Sequence, residues 1–134
     1  MTEKQDIFDR LYSAAADARE KAHAHYSGFK VGASILAGSG KIYSGCNIES
    51  SSYGLSMCAE RNALSIALCE GEIEFSAILI VADTPAPVSP CGACRQLLYD
   101  YAPEINVIMT NLKKESATEK IADLLKKPFG LKKM

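Results

Sequence analysis

The sequence has no apolar run approaching the roughly 20 residues that a membrane-spanning helix requires. Its first residues, Met1 to Asp6, turn polar and acidic at once and hold no hydrophobic signal segment, so a cytoplasmic location without a membrane partner is expected. An even set of cysteines is missing too. Five thiols with no secretion signal argue against a disulfide framework. Charge excess is also lacking: 15 basic and 16 acidic residues leave a net charge of −1. That balance removes the broad attraction on which sequence-independent nucleic-acid binding rests, so no nucleic-acid partner is expected. Lys126-Lys127 and Lys132-Lys133 form a small basic tail, which reads as a solvated C-terminus. No repeat, low-complexity tract or linker interrupts the chain. Its 134 residues, 48% of them apolar, suffice for a hydrophobic core, and residues 1–134 are expected to form a single domain.

The cysteines carry the strongest positive signal. Cys58-Ala59-Glu60 is followed by Pro90-Cys91-Gly92-Ala93-Cys94. Three thiolates can hold Zn²⁺ and leave the fourth tetrahedral position open, as in a catalytic site. Cys91 and Cys94 are three apart, so at a helix start both thiols fall on one side. A helix N-terminus also favours thiolate over thiol. Cys58 and Glu60 are two apart, which does not align them on one helix face. That spacing disfavours Glu60 as a fourth ligand and suits a free carboxylate that handles protons near the metal. Three thiolates outweigh the charge of one zinc ion, so something must withdraw charge from the sulfurs, and Arg61 is the candidate. The aim of Arg95 stays open.

Local patterns place these motifs. Helical spacing of Ile7, Leu11, Ala14, Ala15, Ala18 and Ala22 predicts a first helix over Asp6 to Ala24. Phe29 to Leu36 and Lys41 to Ile48 read as strands joined by Gly38-Ser39-Gly40 into a hairpin. A loop over Glu49 to Met57 leads into a helix over Cys58 to Leu68, then a buried strand over Phe75 to Ala82. Prolines from Pro85 to Pro90 forbid regular structure before a helix over Cys91 to Tyr101. Asn106 to Thr110 reads as a strand, and Thr118 to Leu125 as a last helix with Thr118 as a possible N-cap. A hairpin followed by strands alternating with helices predicts an α/β fold, a mixed sheet between helical layers, with the later strands parallel. Weak apolar alternation after Asn111 leaves a fifth strand doubtful, hence four to five strands.

Further blocks accompany the cysteines: Tyr26-Ser27, Phe29, Val31-Gly32-Ala33, Gly45-Cys46-Asn47-Ile48-Glu49, Arg61 after Glu60, and Arg95-Gln96 after Cys94. Together they resemble the cytidine deaminase family from about Tyr12 to Thr110. Cys58 in place of a histidine ligand resembles the small-subunit, homotetrameric branch. His25 stands where that family usually has proline, and the ending around Leu124 to Phe129 is less compact than usual.

The resemblance implies a three-layer α/β/α fold and hydrolytic deamination of cytidine and deoxycytidine to uridine and deoxyuridine, with ammonia released, in pyrimidine salvage. It implies Zn²⁺ on Cys58, Cys91 and Cys94, catalytic Glu60, and Arg61 donating to the thiolates. It places Asn47 and Glu49 on the ribose hydroxyls, Phe29 against the nucleoside, and backbone groups of Ala59 and Ser89 to Cys91 on the base edge. Phe129 is carried over as a substrate-facing aromatic, with Tyr53, in sites shared between subunits of a homotetramer. A carboxylate at Glu49 accepts from a hydroxyl and repels phosphate, which favours a nucleoside over a nucleotide or a polynucleotide. Competing readings are a closed structural zinc site completed by His23, His25 or another cysteine, and a relative acting on blasticidin. The first leaves the carboxylate of the Cys-x-Glu motif without a purpose. His23 and His25 read as surface or capping residues, and Cys46 and Cys69 as small buried apolar residues.

Overall fold

The computed structural model describes residues 2–131, so Lys132 and Lys133 of the basic tail lie outside the described residues. Helix α1, Glu3–Arg19, is followed by the hairpin of β1, Val31–Ala37, and β2, Ile42–Cys46. Then come α2, Ala59–Cys69; β3, Phe75–Ala82; α3, Gly92–Tyr101; β4, Asn106–Asn111; β5, Ser116–Lys120; and α4, Ile121–Leu124. The strands form one sheet in the order β2-β1-β3-β4-β5. Antiparallel pairs are β1 with β2, β1 with β3, and β4 with β5, while β3 and β4 run parallel. The mixed sheet agrees with the sequence reading. Parallel order after Phe75 holds for β3 and β4 only.

Central β3 explains its own apolar run. Ile78 and Ile80 pack into the core under α2 and α3, while Leu79 and Val81 pack with Leu11 and Ala15 of α1 on the other face. A strand covered on both faces has no side left for polar residues. Two glycines permit the close approach of the layers. A Cβ on Gly32 would lie 2.0 Å from the Ala15 carbonyl oxygen of α1, and one on Gly45 would lie 2.7 Å from the Ala63 nitrogen of α2. Buried hydroxyls are satisfied by backbone, Ser34 donating to the Leu11 carbonyl at 2.6 Å and Thr110 to the Ile80 carbonyl at 2.7 Å.

Three expectations need correction. The first helix ends at Arg19, short of Ala24, because the His23 backbone is used elsewhere. His23 N–H donates to the Asn47 carbonyl and its own carbonyl accepts from Glu49 N–H, both at 2.9 Å. Thr118 is not an N-cap but the middle of β5, paired with Ile108. The fifth strand therefore forms, although all its side chains are exposed. Ladder hydrogen bonds hold it, and these leave no apolar alternation to read. Finally, Cys69 is exposed and Cys46 only half-buried, so neither is a core residue. Among the described residues no helix is long and apolar enough to cross a membrane.

Candidate active site

Cys58 and Cys91 are the N-caps of α2 and α3, and Cys94 follows in the first turn of α3. Two helix N-termini thus converge on one cluster, where their positive ends favour anionic sulfur. The three sulfurs lie within 4.8 Å of one another, with Cys58 and Cys91 3.7 Å apart. Sulfurs bonded tetrahedrally to one zinc at about 2.3 Å would sit about 3.8 Å from each other, so the cluster fits the metal. Among the described residues no histidine, carboxylate or further cysteine joins it. Among the described residues the donor set is therefore three thiols, and neither His23 nor His25 joins them to close the site.

The thiols are not equivalent. Hydrogen bonding from Cys94 and then Cys91, together with the charge of Arg61, brings Cys58 down to about 6 against the effect of burial. Cys94 is pushed up, first as the donor to Cys58 and then by its own burial. Glu60, in the first turn of α2, is 5% exposed. Burial raises its pKa above the usual carboxylate range, and the neighbouring Cys58 adds to this.

Two of the thiols and Glu60 face a cavity of about 270 Å³, while Cys94 is buried and does not line it. Cys58, Ala59, Glu60 and Cys91 line it, with apolar walls from Phe29, Val31, Ile80 and Val88 and polar contributions from Asn47, Glu49 and Ser89. The structure thus brings together nearly all the residues singled out in the sequence. Arg61 acts on Cys58 through its charge and does not line the cavity. Phe129 is 68% exposed and lies outside the cavity of its own chain, its carbonyl accepting from Gln96 at 2.8 Å.

Asn47 and Glu49 do work that no motif announced. Asn47 accepts from Val31 N–H at 2.9 Å and donates to the Phe29 carbonyl at 2.8 Å, pinning the Phe29 segment against the cavity. Glu49 accepts from Tyr26 N–H and Ser27 N–H, each at 3.0 Å, and from the Ser27 hydroxyl. The Ser27 hydroxyl and its backbone hold the Glu49 pKa below the ordinary carboxylate value. Glu49 thus keeps its charge beside the cavity while the turn at Tyr26-Ser27 is fixed. The sequence marks Ser27 only as part of a block, with no role, because its partner lies 22 residues away; Val88, one apolar residue in a proline-rich loop, carries no mark at all.

The model of the cytidine and deoxycytidylate deaminase zinc-binding region matches residues 6–110. A cytidine deaminase of Sporosarcina psychrophila is 45% identical over 123 residues, covering 91% of this chain and 90% of that protein. One of Halalkalibacterium halodurans is 43% identical over 125 residues, 92% of this chain and 95% of that protein. The crystal structure of cytidine deaminase from Burkholderia pseudomallei matches with a TM-score of 0.88 at 44% identity, covering 96% of this chain and 100% of that one.

Proposed function

Because the chain belongs to the cytidine deaminase family, we propose that it hydrolyses cytidine and deoxycytidine to uridine and deoxyuridine, releasing ammonia, in pyrimidine salvage in the cytoplasm. The observation that carries this reading is the three-thiol cluster, of which Cys58 and Cys91 open with the buried Glu60 into one cavity with Asn47 and Glu49. Cys58, Cys91 and Cys94 would hold zinc, which when bound supplies a Lewis acid that lowers the pKa of water. The remaining work falls to the chain's own side chains.

Glu60 moves protons at three atoms in turn: it takes one from water and gives it to ring N3, then takes the remaining one from the oxygen now bonded to C4 and delivers it to the departing amine. A single carboxylate serves all three because each transfer regenerates the form needed next. Its burial keeps bulk water from competing for those protons. Arg61 draws charge from Cys58. Ala59 and the segment from Ser89 to Cys91 meet the base edge, and Phe29 packs against the nucleoside. Glu49 accepts from a sugar hydroxyl, and its charge repels phosphate, which selects nucleoside over nucleotide. Asn47 contributes from its place beside Glu49 on the same cavity wall.

The catalytic unit proposed is the whole chain as one domain in a homotetramer with shared sites. Supporting this, Tyr53 is 83% exposed and, like Phe129, is absent from the wall of its own cavity, so each is free to cover a neighbour's. Ammonia release measured with cytidine, deoxycytidine, cytosine, cytidine monophosphate and blasticidin S tests the reading. Turnover confined to the two nucleosides, and abolished to background in Glu60→Gln that keeps its metal, is expected. Release from blasticidin S alone, or undiminished turnover in Glu60→Gln, would overturn it.

A further inference from the structure

Arg95 follows the ligand Cys94 on α3, yet its guanidinium acts on two other stretches of chain. Nε donates to the Pro90 carbonyl at 2.9 Å and Nη2 to the Ser89 hydroxyl at 2.7 Å. Nη1 donates to the Leu124 carbonyl at 2.8 Å, in α4. All three acceptors are neutral oxygens, and among the described residues no carboxylate pairs with Arg95. Its charge is not among the influences on the Cys58 or Cys94 thiol either, a part that Arg61 takes at Cys58. What the site uses is the shape of the side chain. A planar fork with donors in fixed directions can satisfy three divergent acceptors at once, which a lysine ammonium on a flexible stem cannot.

The two stretches matter differently. Ser89 and Cys91 line the cavity, so the segment from Ser89 to Cys91 is both wall and metal-binding element. Val88 N–H ties its upstream end to the Thr110 carbonyl at 3.3 Å, and Arg95 secures it at Ser89 and Pro90. The C-terminal stretch is gripped twice by neighbouring side chains, at Leu124 by Arg95 and at the Phe129 carbonyl by Gln96. Beyond α4, the described part of this stretch has no regular structure of its own. Side chains of α3 supply its two side-chain tethers, while Leu124 also packs against the core.

We propose that Arg95 is a positioning residue for the deamination: it holds the cavity wall at Ser89 to Cys91 and the C-terminal segment around Leu124 in one fixed relation. The inference rests on the deaminase reading above for its catalytic consequence, but its mechanical content does not. Loss of the fork frees both stretches together, and the base edge is then presented to Glu60 in a spread of orientations. Residues that orient a metal site from outside its ligand set commonly cost 10–100-fold when changed, and about that loss of kcat/KM, mainly in kcat, is expected.

The test uses full-length Arg95→Lys, Arg95→Gln and Ser89→Ala. Amide hydrogen exchange is followed by segment, with zinc content, melting temperature, KM and kcat for cytidine measured on the same samples. Arg95→Lys and Arg95→Gln should raise exchange over residues 86–92 and 122–130 together while α1 stays as protected as in the wild type. Zinc should remain at one per chain, and lysine should rescue no better than glutamine. Ser89→Ala should show a smaller loss that does not add to that of Arg95→Lys in the double variant. Unchanged exchange in either segment overturns the proposal, as does kcat/KM within about twofold of an active wild type. Catalytic loss that merely follows zinc loss or global unfolding overturns it as well. A wild type that releases no ammonia from cytidine would refute the reaction assigned above, and the exchange pattern would still decide whether Arg95 couples the two segments.

Discussion

Gly45 offers the sharpest test of how the fold sets the site. It lies in β2 where that strand meets α2, the helix capped by Cys58 and bearing Glu60. A Cβ placed there would lie 2.7 Å from the Ala63 nitrogen, 2.9 Å from Asn62 Cβ and 3.0 Å from the Ala59 carbonyl oxygen. Two of these obstacles are backbone atoms, so no side chain can rotate away. Ordinary contact would require α2 to withdraw by roughly 0.5–1 Å. Overpacking of this kind costs about 1–3 kcal/mol, and the rigid obstacles place Gly45→Ala near the upper end. Reduced freedom of the unfolded chain returns about 0.4–1 kcal/mol. The net loss of about 2 kcal/mol corresponds to a fall in melting temperature of roughly 5–15 °C for a chain of this size.

The catalytic consequence should exceed the stability loss. At 25 °C most of the variant remains folded, yet Cys58 and Glu60 move with α2. A displacement near 1 Å can cost on the order of 100-fold in rate. Gly54→Ala is the control, since a Cβ there would meet nothing within 4 Å. Thermal melts and cytidine turnover on both variants decide the matter. A Gly45→Ala protein that melts within about 1 °C of the wild type would refute the close-approach argument. One that is destabilised yet fully active would refute the coupling of α2 position to chemistry.

Cys94→Ala should lose both metal and activity, whereas Cys69→Ala and Cys46→Ala should keep both; elemental analysis showing zinc retained in Cys94→Ala would contradict the ligand set. Glu49 has a folded pKa below its ordinary 4.5, so its stabilising contribution is present above that value and is lost as pH falls through the lower folded one. Ser27→Ala narrows that difference. Its melting-temperature deficit should therefore be largest near neutrality and shrink under acid to the part due to the lost Phe29 N–H acceptor; a deficit constant with pH would refute the linkage. Phe129→Ala should reduce turnover without releasing zinc, and wild-type specific activity should fall on dilution as mass drops below the tetramer. A fully active monomer would dispose of shared sites.

The clustering of the candidate residues was legible because it depends on residue types at short spacings. Cys91 and Cys94 face one way by helix geometry, and Glu60 is set apart from Cys58 by two residues in any helix. The run Ile78 to Val81 likewise announced a strand covered on both faces. Interactions between distant segments carry no such local mark. Strand β5 is held by backbone bonds to β4 that any exposed sequence can make, and the backbone of His23 is claimed by Asn47 and Glu49. Arg95 showed only that a cation follows Cys94; its three acceptors come from two segments that meet only when the sheet has assembled. Which residues could do the chemistry was thus decided by the sequence. What holds them in place was decided by the tertiary structure, because a hydrogen bond depends on where the chain brings its acceptor and not on how far along the chain that acceptor lies.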